Sequence, residues 1–199
     1  SWNTLSNCNI TGTTFTAPTG LNQVFGNLNF NCVSLTNYTT ATLSGATVVQ
    51  GNLDITGTSA ANRMVLQLAG QDFTVNGTTN INAYGILNDG TLAGTNLFTG
   101  NVSVNTNGQW VTTNNPPFNF QGGLNYDGSA FTSGTGNYTF SSINQTLSGG
   151  QSITITNIVV TGIILTSINT AGLTVSTLTG TGTFVNGDAS NAAILYLSN

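Results

Sequence analysis

A glycine followed by alternating apolar residues recurs along this chain and restricts the folds open to it. The motif occurs as GNLNF at Gly26, GNLDI at Gly51, GTTNI at Gly77, GNVSV at Gly100 and GGLNY at Gly122. Successive glycines are about 22 to 26 residues apart, and a unit that repeats at such a period is typical of a solenoid, in which each unit is one coil. Small differences in the period are then insertions in the corner loops.

The alternation within each motif predicts a β-strand with one buried face. Fainter echoes occur at 150–155, 172–178 and 180–185. We therefore predict an all-β, parallel β-solenoid of about eight coils of roughly 22–27 residues, with residues 1–199 as one segment of a longer chain or fibre. The recurring Gly and Asn residues are expected at corners that need positive φ or Asx-type turns. A β-sandwich built from hairpins is the alternative.

The composition excludes several classes of function. Charged residues make up 3% of the chain, there is no His, Lys or Glu, and Arg63 is the single cation, whereas 38% of the residues are apolar and can fill a core. Binding to nucleic acid or to an anionic membrane surface needs clusters of Lys and Arg. The longest apolar run, 157–165, is far shorter than the ~20 residues of a spanning helix. We expect neither nucleic-acid binding nor membrane insertion.

Three segments carry a resemblance to a known family: FGNLNFNC at 25–32, the stretch from TLSG to TTNI at 42–81, and the stretch from NYDG to LSGG at 125–150. They resemble repeat regions of large Bacteroidota cell-surface adhesins exported by the type 9 secretion system, which include the giant gliding-motility adhesin. The resemblance implies a secreted protein at the bacterial cell surface. It implies no catalytic residues, because these motifs are structural repeats.

The prediction for function is therefore a structural and adhesive segment of a secreted adhesin or fibre, a stiff rod that presents binding surfaces. Expected partners are an extracellular surface or polysaccharide, and neighbouring coils or subunits at the solenoid ends. The ends matter because residues 192–199 read as an apolar strand without a charged cap. An alternative is an ice-binding solenoid that uses outward Thr arrays, drawn from threonine-rich stretches at 11–16, 74–80 and 177–184.

A polysaccharide-active β-helix enzyme is the less favoured alternative. Without His, neither a Ser-His-Asp triad nor a Cys-His pair can form. Asp54 and Asp72 are expected to point outward from strands, and Asp89 and Asp127 to lie in Asp-Gly turns. Asp188 could help to hold a single calcium ion. We predict no catalytic residues, no metal site and no cofactor.

The two cysteines are expected to mark the coil register. Cys8 precedes Cys32 by the length of one coil, and each follows an Asn. In register they would lie one above the other at ~4.8 Å, within disulfide range. We predict that both point inward and form a disulfide, which is favoured in a secreted chain. Two stacked, buried and inert thiols are the alternative.

Trp110 is the aromatic residue of greatest interest, because it lies beside the Asn-Asn-Pro-Pro loop. An aromatic ring on a loop can stack on a sugar, so Trp110 is a candidate glycan contact. The alternative is that Trp110 and Phe118 pack over a coil corner. Trp2 is predicted to plug the N-terminal end.

Overall fold

The computed structural model describes residues 3, 5–12, 18–90 and 94–198. In this part of the chain the regular structure consists entirely of β-strands. The strands are β1 (Asn7–Ile10), β2 (Val24–Phe25), β3 (Asn27–Asn31), β4 (Thr39–Thr42), β5 (Thr47–Val49), β6 (Leu53–Thr56), β7 (Met64–Gln67), β8 (Phe73–Val75), β9 (Thr79–Ile81), β10 (Gly85–Asp89), β11 (Asn96–Phe98), β12 (Val102–Val104), β13 (Gln109–Thr112), β14 (Phe118–Phe120), β15 (Leu124–Tyr126), β16 (Ala130–Thr132), β17 (Asn137–Ser141), β18 (Gln145–Ser148), β19 (Ile153–Thr161), β20 (Ile164–Ser167), β21 (Leu173–Gly180), β22 (Thr183–Asn186) and β23 (Leu195–Leu197).

These strands form three sheets in which neighbouring strands are parallel. Sheet 1 has nine strands in the order β1-β3-β6-β9-β12-β15-β18-β20-β22, and sheet 2 has nine in the order β2-β5-β8-β11-β14-β17-β19-β21-β23. Sheet 3 has five, in the order β4-β7-β10-β13-β16. The chain visits sheets 1, 3 and 2 in turn and then rises to the next coil. The predicted parallel β-solenoid of about eight turns is confirmed, and a β-sandwich of hairpins is excluded.

The repeat read from the sequence is the coil register of sheet 1. Leu28, Leu53, Thr79, Val102 and Leu124 face one another in successive strands. Each of them lies two positions after a motif glycine, so the spacing of the glycines is the length of the coil. Each strand buries alternate residues, as in β6 and β12.

The repeated glycines are required by close packing between coils rather than by positive φ. A Cβ on Gly100 would meet the carbonyl oxygen of Gly77, and a Cβ on Gly122 would meet the backbone of Gly100, each closer than real Cβ contacts allow. The backbone φ of these glycines lies outside the left-handed region. The expectation of positive φ at these positions was therefore wrong. Positive φ occurs instead at neighbouring corner residues such as Gly123.

The solenoid changes its cross-section along its length. Within the described residues, sheet 3 begins with β4 and ends with β16, so the coils between these strands have three sides. Beyond it, β19 and β21 lengthen to nine and eight residues. The Thr156 hydroxyl in β19 donates to the Gly134 carbonyl, which follows β16, at 2.7 Å. One continuous strand therefore replaces a strand of sheet 3, a corner and a strand of sheet 2.

The composition of the core also changes along the solenoid. Between residues 73 and 140 it is built mainly from fully buried aromatic side chains: Phe73, Phe98, Trp110, Phe118, Phe120, Tyr138 and Phe140. Residues 141 to 183 contain no aromatic residue. Their core is aliphatic: Leu147, Ile153, Ile155, Ile158, Val160, Ile163, Leu165, Leu173 and Val175.

Candidate functional surface

The outward face of sheet 1 carries one uninterrupted row of small polar side chains. Register pairs connect them through seven successive strands, from β1 to β18. The residues are Asn9, Asn29, Asp54, Asn80, Ser103, Asn125 and Ser148, and we call them the polar column. Neighbouring members are separated by one strand spacing, ~4.8 Å.

Hydrogen bonds between coils hold the polar column in place. Asn29 Nδ2 donates to Asn9 Oδ1 at 2.9 Å, and Asn80 Nδ2 donates to Asp54 Oδ1 at 2.9 Å. The Ser148 hydroxyl donates to Asn125 Oδ1 at 3.0 Å. An amide that donates one hydrogen bond to its neighbour still has a second N–H and its carbonyl oxygen to bind solvent or a ligand. Because these side chains are already ordered, they would lose less conformational entropy when a ligand binds.

Two further rows, one on each side of the polar column, have similar contacts. Asn27 Nδ2 donates to Asn7 Oδ1 at 2.9 Å, and Asn105 Nδ2 donates to Asn82 Oδ1 at 2.8 Å. Side-chain amides also accept from the backbone, since the Thr78 N–H donates to Asn52 Oδ1 at 3.0 Å. Sheet 1 therefore presents a polar surface several side chains wide.

A polar groove of about 430 Å³ lies where sheet 1 turns towards sheet 3. Its lining residues are Asn105, Thr106, Asn107, Asp127, Gly128, Ser129 and Gln151. The Asp127 carboxylate accepts from the Gly150 N–H at 2.6 Å and from Asn125 Nδ2 at 2.8 Å, so it links the groove to the polar column. The groove and the column form one continuous polar surface.

Arg63, the single cation, stabilises the same corner. Its Nη1 donates to the carbonyl of Asn107 at 3.4 Å, and its guanidinium carbon lies 5.8 Å from the centre of the Tyr84 ring. Its Nε donates to the Ala60 carbonyl at 3.2 Å. Arg63 therefore ties together corner loops of three successive coils.

The glycine motif also contains the residues of the polar column, although the fold prediction depended only on the apolar positions of the motif. Asn29, Asp54, Asn80, Ser103 and Asn125 are the residues between the two apolar positions of each glycine motif. A residue between two inward positions of a strand must point outward. Reading the motif for its outward position would have found these five residues.

The five aspartates do not gather at one place. Asp54 lies in the polar column and Asp72 is exposed, so both point outward as predicted. Hydrogen bonds from the N–H and hydroxyl of Thr95 hold the pKa of Asp72 below its usual value. Asp188, in the loop after β22, accepts from Ser190 and Asn191, which lower its pKa.

Asp89 was predicted to lie in an Asp-Gly turn, and this prediction was wrong. It ends β10 and is fully buried. Its carboxylate accepts from the Gly70 N–H at 3.2 Å and from Asn96 Nδ2 at 3.2 Å. Asp89 therefore joins loops of neighbouring coils. Within the described residues, no three His, Cys, Asp or Glu side chains come together as a possible metal site.

The predicted disulfide between Cys8 and Cys32 was wrong. The first coil is shorter than the average period, so Cys8 faces Leu28, and Cys32 lies farther along the chain, after the end of β3. Both residues are free thiols, Cys32 fully buried and Cys8 half-buried against the core. The Cys32 thiol donates to the Ile10 carbonyl at 3.4 Å, and burial raises the pKa of both thiols.

The structure also contradicts the assignment of Trp110 as a glycan contact. Its side chain is fully buried, and its ring centre lies 4.9 Å from that of Phe118. Its Nε1–H donates to the Tyr138 hydroxyl at 2.8 Å, and burial raises the pKa of Tyr138. No ring face is left for a sugar. Trp110 does pack against Phe118, but it lies in β13 and the main core and not over a coil corner. The predicted plug at Trp2 lies outside the described residues.

Outward threonines form short stacks. In the described strands the stacks of outward Thr in register reach two coils, as Thr146 on Thr166 and Thr154 on Thr174. Val185 and Tyr196 follow these pairs in the next coil. Part of the threonine-rich stretch at 11–16 lies outside the described residues. The long, flat Thr array that ice binding would use is not found in the described strands.

In the described part of the chain no helix has the length and apolar character needed to span a bilayer. Comparisons with protein-family models, with curated protein sequences and with solved structures gave no match.

Proposed function

We propose that this chain is a stiff structural and adhesive segment of a secreted bacterial surface protein, and that the polar column of sheet 1 contacts a neutral extracellular polysaccharide. The single observation that carries the proposal is the continuity of the column through seven coils. A linear polysaccharide laid along the rod would meet an amide or hydroxyl group at six of the seven coils and the Asp54 carboxylate at the other. Its many hydroxyls need such neutral donors and acceptors rather than charge.

The rod itself supports this role. Long parallel ladders hold the coils together, and one continuous apolar core runs inside them. Since each coil contacts mainly its neighbours, such a stack extends a surface without widening the molecule. With six charged residues in the chain, its stability depends little on ionic strength. The resemblance of the segments at 25–32, 42–81 and 125–150 to surface-adhesin repeats supports the location, and we include no catalytic reaction in the proposal.

Co-sedimentation with insoluble polysaccharides tests the proposal. Cellulose, chitin and cross-linked dextran serve as probes, with the wild-type chain and two variants. Ser103→Lys places a long cationic side chain in the middle of the polar column. Asn119→Lys makes the same kind of change on the outward face of β14, in sheet 2, and is the matched control.

We expect the wild type and Asn119→Lys to sediment with at least one polysaccharide, and Ser103→Lys to lose most of that binding. Equal binding by all three proteins would overturn the assignment of the polar column. Absence of binding to every probe, together with thermal hysteresis of the wild type, would favour the ice-binding alternative instead. Circular dichroism melts of the variants show that they remain folded.

A further inference from the structure

The polar groove at the turn from sheet 1 towards sheet 3 differs from most small-molecule sites in its lining. Clefts that bind small molecules measure about 300–1,000 Å³ and are lined mainly by apolar side chains. This groove has a volume of about 430 Å³, and each of its lining residues is either polar or glycine. They come from three successive coils, at the corners after β12, β15 and β18. The groove therefore fits a ligand rich in hydrogen-bonding groups rather than an apolar one.

Asp127 supplies the groove with a charged acceptor in a fixed position. Its Oδ1 accepts from the Gly150 N–H at 2.6 Å, and its Oδ2 accepts from Asn125 Nδ2 at 2.8 Å. An ionised carboxylate accepts about four hydrogen bonds in all, so each oxygen retains an unused site. Two neighbouring hydroxyl groups of a ligand can donate to these sites. Such hydrogen bonds to a charged acceptor are stronger than those between neutral groups.

The other walls of the groove supply donors. Thr106, Asn107 and Gln151 line it, and all three residues are exposed. Among the residues that the structure describes, none of these three side chains has a hydrogen-bond partner. Their hydroxyl and amide groups are therefore available to a ligand that also contacts Asp127.

Backbone contacts between coils fix the shape of the groove. Asn107 has a φ of 64°, and its carbonyl accepts from the Tyr84 N–H at 3.1 Å. The N–H and the hydroxyl of Ser129 both donate to the Gly108 carbonyl, at 2.9 and 3.3 Å. The corners of neighbouring coils are thus joined before a ligand arrives, which lowers the entropy lost on binding.

The charge in the groove selects against acidic ligands. Asp127 is the one charged residue of the lining that the structure describes. Arg63, the single cation, donates to the Asn107 carbonyl at 3.4 Å but is not among the lining residues. An acidic sugar would bring its carboxylate towards Asp127, and like charges brought together weaken binding. A hard metal ion would need several more oxygen ligands than this one carboxylate provides.

We propose that the groove is a subsite for a sugar residue of a neutral polysaccharide, and that Asp127 binds two neighbouring hydroxyl groups of that residue. Thr106, Asn107 and Gln151 donate to oxygens of the same sugar. This inference rests on the proposed function, because Asn125 connects the groove to the polar column. It adds a specificity: the subsite accepts neutral sugars with adjacent hydroxyls and rejects sugars that carry a carboxylate.

Titration of the full, isotope-labelled chain with soluble sugars, followed by heteronuclear NMR, tests the subsite. Cellobiose, N,N′-diacetylchitobiose and isomaltose are the neutral probes, and glucuronic acid is the acidic one. Asp127→Asn keeps the shape of the side chain and removes its charge. Asp72→Asn is the matched control, because Asp72 is an exposed carboxylate that also accepts hydrogen bonds but does not line the groove. Gln151→Ala replaces Asp127→Asn if that variant does not fold.

We expect at least one disaccharide to shift the backbone amide of Gly150 and the side-chain amides of Asn107 and Gln151. Asp127→Asn should weaken this binding about tenfold, the change expected for one hydrogen bond to a charged group. Asp72→Asn should bind as the wild type does, and glucuronic acid should leave the groove amides unshifted. Unshifted groove amides with all three disaccharides would overturn the subsite, and so would equal affinity for Asp127→Asn and the wild type.

Failure of the subsite can be told apart from failure of the polar column. If no disaccharide shifts the groove amides, but polysaccharides sediment the wild type and not Ser103→Lys, the column stands and the subsite is wrong. If a disaccharide binds in the groove, but Ser103→Lys sediments as well as the wild type, the subsite stands and the column is wrong.

Discussion

The solenoid has a wide, three-sheet part, residues 39–132, and a narrow part after it. The two parts fill their interiors with different side chains. The wide coils enclose Trp110 and a set of Phe rings, among which Trp110 and Phe131 stack at 6.0 Å. The narrow coils enclose Ile, Leu and Val. Protein interiors are close-packed, so the larger interior of a three-sided coil must be filled by more or bulkier side chains. Before residue 73 the wide coils enclose aliphatic side chains such as Leu53 and Met64, and from residue 73 they enclose mainly aromatic rings.

The two parts also differ in what their surfaces offer. The polar column covers the coils from β1 to β18 and so ends in the first coil of the narrow part. The described residues after β18 include several exposed apolar side chains instead, among them Ile164, Val185 and Tyr196. The polar column and the exposed apolar side chains therefore lie mostly in different coils.

Trp110→Ala should give the largest effect, in the wide part. Removing a fully buried indole from the aromatic core is expected to lower the free energy of unfolding by about 3–5 kcal/mol. Urea unfolding followed by circular dichroism measures the change. Hydrogen exchange should show the loss of protection concentrated between residues 39 and 140, because each coil contacts mainly its neighbours. A change below about 1 kcal/mol would contradict the role of Trp110 in the core.

Gly100→Ala tests the close approach of the coils at the glycine corner. The added methyl group would overlap the Gly77 carbonyl, so we expect a loss of about 1–3 kcal/mol, or failure to fold. Gly90→Ala is the matched control, because its Cβ would lie 3.4 Å from the nearest atom, Thr113 Oγ1. The control should change stability by less than about 0.5 kcal/mol. Equal melting temperatures for both variants would contradict the packing argument.

Ile158→Val probes the narrow part in the same way. Deleting one methyl group from this fully buried residue should cost about 0.5–1.5 kcal/mol. Ile164→Val removes the same group from a side chain that is 42% exposed, and it should have almost no effect. Equal melting temperatures for the two variants would indicate that the aliphatic core is not tightly packed.

The smallest effect on stability is expected from lowering the pH, and it involves one carboxylate in each part. The pKa values of Asp72, in the wide part, and Asp188, in the narrow part, are lowered by hydrogen bonds in the folded state. A lowered folded-state pKa adds stability above the unfolded-state value, and that stability is lost as the pH falls through the folded-state value. Since both carboxylates are exposed, the melting temperature should fall only slightly below about pH 4. A fall of many degrees between pH 7 and pH 4 would show that another carboxylate controls stability.

Several features were predictable because they depend on local pattern. The glycine motif predicted the solenoid, its coil spacing and the inward positions of Leu28, Leu53 and Leu124. The same motif held the polar column, since its outward positions follow from strand geometry alone. The corner glycines were noticed, but their role was misread, because a contact between coils cannot be seen in one coil.

The sequence by itself determined that the chain is all β, that it repeats at about one coil, and that it has almost no charge. Tertiary structure decided the rest, because stacking depends on the length of each coil and not on the average period. A short first coil placed Cys8 opposite Leu28 instead of Cys32, and a third sheet that runs to Thr132 left Trp110 enclosed in the core. The loops between strands set those lengths, and their packing against neighbouring coils is a long-range property.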